Sequence, residues 1–193
     1  MEINLYIKNM VCHRCIKVVR DELTKLGYEV SNITLGEAII KSSEKSPNMT
    51  RIKKVLVDNG FDLVDDKKSK LIEKIKVLII NRIHYQNDKL EKLSFSKYLS
   101  NELGVNYSQL SSVFSSSEGI TIEKFIIKQK IEKVKELLTY DELTLSEISF
   151  MLGYSSVQHL SNQFRQITGL NPSYFKKLKK YRRNPLDHLD DEG

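Results

Sequence analysis

The stretch NMVCHRC, residues 9–15, holds both cysteines of a 193-residue chain. Cys12 and Cys15, three apart, can close on one soft metal ion or act as a thiol pair. A second concentration of polar chemistry lies far downstream in SSVQHLSNQFRQITG. With Val157, Leu160, Phe164 and Ile167 turned inward, helical rotation places Gln158, His159, Asn162 and Gln166 on the opposite face. Ser155 and Ser156 stand at the entering end and Arg165 on the flank. Gln and Asn can pair with adenine edges, and Arg reaches guanine or phosphate, so this face suits DNA.

An equivalent face occurs earlier, at Asn106, Ser108, Gln109, Ser112 and Ser116. It lacks Arg and Lys, which predicts weaker or more shape-dependent readout. Lysines outside the two faces are the candidate phosphate contacts: Lys124, Lys128, Lys176 and Lys177, followed by Lys179, Lys180, Arg182 and Arg183 in the tail.

The charge balance agrees with two modules. Residues 1–66 carry ten Lys/Arg against ten Asp/Glu, whereas residues 67–186 carry 21 against 11. A neutral module followed by one that binds a polyanion has this asymmetry. Hydrophobic residues make up 40% and charged residues 29%, a composition able to bury cores. No apolar run is long enough to span a bilayer, so the expectation is a cytoplasmic protein with no membrane partner, its cysteines reduced. No Ser/His/Asp set, phosphate-cradling glycine loop or paired-carboxylate motif is present, and no enzyme activity is expected. His84, His159 and His188 read as isolated surface residues.

Periodicity supplies the elements that position these groups. Residues 1–66 read as strand, helix, strand, strand, helix, strand, a split βαβ or ferredoxin-like order. The cysteines fall in the loop before the first helix, where backbone N–H groups favour thiolates. The second helix is expected to take Ser46 as cap and Pro47 in its first turn. From residue 67 onward the pattern is helical, beginning with a helix over 70–86 marked by Ile72, Ile75, Ile79 and Ile83.

An internal repeat organises the second half. In LSNELGVNYSQLSSVFSSSEGI and ISFMLGYSSVQHLSNQFRQITGL, Gly104 pairs with Gly153, and Leu110, Phe114 and Gly119 pair with Leu160, Phe164 and Gly169. Each copy reads as a helix, a turn and a second helix. Between them Ile127, Ile131, Val134 and Leu138 mark a connector helix. Thr144 and Glu147 have capping-box spacing, and Asn171 with Pro172 opens a last helix.

Two resemblances rest on these residues. MVCHRC, with the later LGEAII and NGF, resembles the heavy-metal-associated (HMA) domain of copper chaperones and metal-transporting ATPases. That resemblance implies Cys12 and Cys15 as ligands for Cu(I) or another soft metal ion, Met10 as a core brace and Phe61 near the metal; Asn9 stands where the family usually has Gly. LSEISFMLGYSSVQHLSNQFRQITGLNPSYFKK is similar to the signature of AraC/XylS transcription regulators over roughly residues 70–180. It implies binding of double-stranded DNA by two recognition helices.

The expected architecture is thus an α+β ferredoxin-like domain at 1–66, an all-α double helix-turn-helix domain at 67–183 and an acidic tail at 184–193. The expected function is a DNA-binding transcription regulator that responds to a soft metal. The alternatives are a chaperone-like metal binder, or a regulator whose first domain only mediates homodimerisation.

Overall fold

The computed structural model describes residues 1–42, 47–64, 66–85, 94–140 and 142–178. The chain divides into two compact units, Met1–Val77 and Leu78–Gly193.

In the first unit the order is β1 (Glu2–Lys8), α1 (His13–Lys25), β2 (Glu29–Thr34), β3 (Glu37–Lys41), α2 (Met49–Asp58) and β4 (Asp62–Leu63). The four strands form one antiparallel sheet in the order β2-β3-β1-β4, so β1 lies inside it between β3 and β4. Alternation in β1 sends Leu5 and Ile7 to one face, where they meet Ala38, Ile40, Val19, Leu23, Ile52 and Leu56 in the core. Val19/Leu23 and Ile52/Leu56 are four residues apart, so each helix buries one stripe.

Tyr6, between those two core residues, carries Lys70 and Lys74 of α3 (Lys67–Ile80) over its ring, at 4.7 and 5.3 Å from the centroid. Gly36, in the β2–β3 turn, has φ +78, and a Cβ there would lie 3.1 Å from the Val77 side chain. Both the left-handed backbone and the close approach of α3 favour glycine at this position. The sequence reading changes domain at 66/67; the first unit runs on through α3 to Val77 because the helix packs there.

The start of α2 differs from expectation. Asn48 is the cap, accepting from the Arg51 N–H at 2.9 Å, and Pro47 lies outside the helix. Asn competes well with Ser for a cap, and one residue separates Pro47 from the first turn. Ser46 lies outside the described residues.

The second unit is helical. After Ile80 the chain widens into a π-helical turn, Asn81–Tyr85, which buries Arg82, Ile83 and His84. Then follow α4 (Phe95–Leu103), α5 (Tyr107–Glu118), α6 (Ile122–Tyr140), α7 (Leu145–Met151), α8 (Val157–Thr168) and α9 (Pro172–Leu178). The antiparallel sheet with helices and the helical second half are both as the sequence predicts. His84 is not the surface residue expected: its Nε2 lies 3.0 Å from Gln129 Oε1 in the core.

The repeat is visible as two like packings. Leu110 and Phe114 of α5, and Leu160 and Phe164 of α8, are all fully buried. Phe114 meets Phe125 at 5.6 Å between ring centroids, and Phe164 meets Phe175 at 5.4 Å. Truncating any of these rings to Ala should cost about 3–5 kcal/mol. The correspondence therefore continues past Gly119 and Gly169. Thr121 caps α6 as Asn171 caps α9, and Ile122 and Pro172 are both buried.

Candidate functional site

The capping box at the start of α7 is complete. Glu147 N–H donates to Thr144 Oγ1 at 3.2 Å, and Thr144 N–H donates to Glu147 Oε2 at 2.7 Å. The Thr144 hydroxyl and N–H bonds hold the Glu147 carboxyl below its usual range.

On α8, Gln158, His159, Asn162, Arg165 and Gln166 are exposed, opposite the buried Leu160 and Phe164. Gln158 Nε2 donates to Asn162 Oδ1 at 2.8 Å, so two amides one turn apart form a joined donor and acceptor surface. Ser155 Oγ bonds His159 Nδ1 at 3.0 Å. Ser156 is the helix cap, its hydroxyl accepting from His159 N–H at 3.1 Å, so it positions the helix. Ile167 is 39% exposed in the last turn, where the sequence places it inward. Gly169 closes the helix two residues later.

The turn before α8 depends on a residue that periodicity does not single out. Tyr154 donates its hydroxyl to Gln163 Oε1 at 2.8 Å, and its ring meets His159 edge-on at 5.4 Å. Burial pushes its phenol well above the usual range. The available signal is its place directly after Gly153 and before two serines.

On α5 the same positions behave differently. Asn106 is the cap, and its Oδ1 accepts from both the N–H and the hydroxyl of Ser108 at 2.9 Å. Ser116 donates to Val113 O at 3.0 Å, and Ser115 to Ser111 O at 2.8 Å. Gln109 and Ser112 are exposed. Tyr107 donates to Glu123; burial first and this carboxylate second push its phenol up, while the same bond holds Glu123 low.

Lys124, Lys176 and Lys177 are exposed, and Lys128 is half-buried on the connector. Lys179, Lys180, Arg182, Arg183 and His188 lie outside the described residues, as does the acidic tail. Sequence reading passes over Lys130, whose Nζ lies 5.1 Å from the Tyr154 ring centroid and 5.9 Å from that of Phe95. Burial, with Arg82 adding to it, lowers Lys130 to about 8.

The thiol loop belongs to the first unit. Cys12 Sγ and Cys15 Sγ are 3.3 Å apart, both half-buried. Burial raises the Cys12 thiol, but hydrogen bonds from Cys15 and Arg14 outweigh it and leave Cys12 below its ordinary value. Cys15 is pushed up, by burial first and by Cys12. Asn9 holds φ 69, a left-handed conformation that Asn tolerates, and its Nδ2 donates to Gly60 O at 3.2 Å. Met10 and Phe61 are both core residues. Among the described residues no three His, Cys, Asp or Glu side chains gather as a metal site. The donor set is two thiols, which fits a soft ion of low coordination number and falls short of a four-ligand zinc site.

The family described as "Helix-turn-helix domain" matches residues 99–178, the stretch that contains α5, α6, α7, α8 and α9. The C-terminal region carries an AraC-type helix-turn-helix domain. The chain is 24% identical over 131 residues to the "Probable transcriptional regulator LumQ" of Photobacterium leiognathi, covering 68% of this chain and 51% of that one. It is 29% identical over 101 residues to the xylose operon regulatory protein of Escherichia coli K12, covering 52% of this chain and 26% of that one. The chain thus spans about half the length of the first relative and a quarter of the second. The solved C-terminal domain of AraT, a response regulator from Geobacillus stearothermophilus, is 24% identical with a TM-score of 0.49, over 61% of this chain and 92% of that one. The matched stretch lies within the second unit; no helix among the described residues is long and apolar enough to cross a membrane.

Proposed function

We propose that the chain is a sequence-specific DNA-binding transcription regulator that sets α8 and α5 against double-stranded DNA. The observation that carries this reading is the exposed polar face of α8, fixed by a buried Leu160/Phe164 stripe and a Ser156 cap within a matched helix-turn-helix domain. Gln158, Asn162 and Arg165 have the groups that read base edges, and Lys124, Lys176 and Lys177 lie outside that face to meet phosphates. The test is fluorescence anisotropy of labelled DNA from the gene's own upstream region, at fixed salt. Saturable binding that unrelated DNA competes for poorly supports it; equal competition by any sequence overturns it.

We also propose that the first unit is a ferredoxin-like, HMA-like domain that biases DNA binding through a soft ion such as Cu(I). Its support is the strand, helix, strand, strand, helix, strand order with β1 inside the sheet, and two thiols at the start of α1. Cys12 and Cys15 would hold the ion, which serves as a clamp with no reaction of its own. Coupling requires only that the ion bind one state more tightly. The same titration with buffered Cu(I) tests this: a metal-dependent affinity lost in Cys12→Ser with Cys15→Ser supports it. An affinity identical with and without Cu(I) removes the metal and leaves the domain a dimerisation surface, read by the mass of the free protein.

A further inference from the structure

We infer that the two helix-turn-helix units read DNA unequally: α8 supplies most of the base-specific hydrogen bonds, centred on an adenine, and α5, whose one long exposed amide is Gln109, contributes fewer. This rests on the DNA-binding reading above and goes further by assigning most of the sequence information to one helix.

The repeat supplies the comparison. At an offset of 50, Gln158 corresponds to Ser108, Asn162 to Ser112, Arg165 to Ser115 and Gln166 to Ser116. These four long polar side chains of α8 thus correspond to serines on α5, whereas Gln163 corresponds to Val113 and His159 to Gln109. A hydroxyl has a single proton to donate. In α5 that proton is already directed at the chain for Ser108, toward Asn106 Oδ1 at 2.9 Å, and for Ser115 and Ser116, toward carbonyls of their own helix at 2.8 and 3.0 Å. A base-edge acceptor such as N7, O6 or O4 needs a donated proton, which these three hydroxyls do not offer.

On α8 the geometry is the reverse. Because Gln158 uses one N–H on Asn162, its Oε1 stays available as an acceptor, and the Asn162 Nδ2 group stays available as a donor. An acceptor beside a donor is the complement of adenine, which offers the N6 amino group and N7. The hydrogen bond between them also fixes two flexible side chains before DNA arrives, which lowers the ordering cost of binding. Net charge points the same way: α5 contains one acid and no Lys or Arg, whereas α8 contains Arg165 and no acid.

Selection from randomised duplexes with the full chain tests this. The expected result is one dominant block of sequence preference containing a required adenine, whose replacement weakens binding roughly 5- to 150-fold. Gln158→Ala with Asn162→Ala should erase the preference at that adenine and keep residual, salt-sensitive binding, with circular dichroism confirming the fold. Ser108→Ala with Ser112→Ala should leave the selected block as it was. Ser108→Gln with Ser112→Asn should add a second dominant block about 10 base pairs away. Two blocks of equal strength in the wild type, or a block that shifts in the serine-to-alanine variant, overturns the division of labour. Absence of any selected sequence overturns the DNA-binding reading itself, and this inference with it.

Discussion

His84 Nε2 lies 3.0 Å from Gln129 Oε1 with both side chains buried, joining the π-helical turn to the middle of α6. The Gln129 Oε1 oxygen is an acceptor, so His84 Nε2 is the donor of this pair, and Nδ1 faces Glu136 Oε2 at 3.9 Å. Lys133 completes the cluster, 3.3 Å from Glu136 and 3.5 Å from the His84 carbonyl. Replacing His84 by Leu removes a buried bond and should lower stability by about 1–3 kcal/mol. Urea denaturation reads this, and His84→Leu with Gln129→Leu should recover part of the loss. A midpoint unchanged in the single variant would show that the bond contributes nothing.

Lys130 predicts a rise of stability with pH. Its folded value is about 8, below the ordinary 10.5, so between these values the unfolded chain binds more protons than the folded one. Stability should therefore increase from pH 7.5 to 9.5, by about 1–2 kcal/mol, relative to Lys130→Met. The window stops there because Tyr107 and Tyr154, both pushed up, act in the opposite direction once unfolded tyrosines ionise. Parallel denaturation curves for the two proteins across this range would contradict the assignment.

Loss of the Thr144 cap should cost about 1 kcal/mol, since α7 has seven residues and depends on its box for the first turn. Thr144→Ala should lower the thermal midpoint, and Thr144→Ser should restore most of it. Equal midpoints for the alanine variant and the wild type would mean that α7 is held by packing alone.

The two thiols should react at different rates. Cys12 is held below its ordinary value and Cys15 above it, so at pH 8 Cys12 carries the larger thiolate fraction. Iodoacetamide at limiting dose, followed by peptide mass spectrometry, should find Cys12 modified first. Faster labelling of Cys15 would reverse the order proposed here.

Phosphate contacts are separable from base contacts by salt. If Lys176 and Lys177 meet phosphates, changing both to Gln should lower the slope of log affinity against log salt by about two. Sequence preference should persist in this variant. An unaltered slope removes both residues from the interface.

Local signals made much of this protein legible in its sequence. The Thr144–Glu147 box, the Asn171 cap, the inward Leu160/Phe164 pair and the outward Gln158, Asn162 and Arg165 all follow from spacings of three or four residues. Hydrogen bonds and helical rotation act at that range. The offset of 50 is likewise a property of the string, and it reaches Phe125 and Phe175, beyond the glycines that first reveal it.

Other outcomes depended on what the folded chain brings together. That Asn106 and Ser156 cap helices, that α5 hydroxyls bond their own backbone, and that Asn48 displaces Pro47 from the first turn were decided by competition among nearby donors and acceptors. His84 shows the limit most clearly, because its partner Gln129 is 45 residues away. Periodicity places an imidazole on a helix, but only packing determines whether the surface it faces is water or another helix with an amide oxygen placed to accept its hydrogen bond.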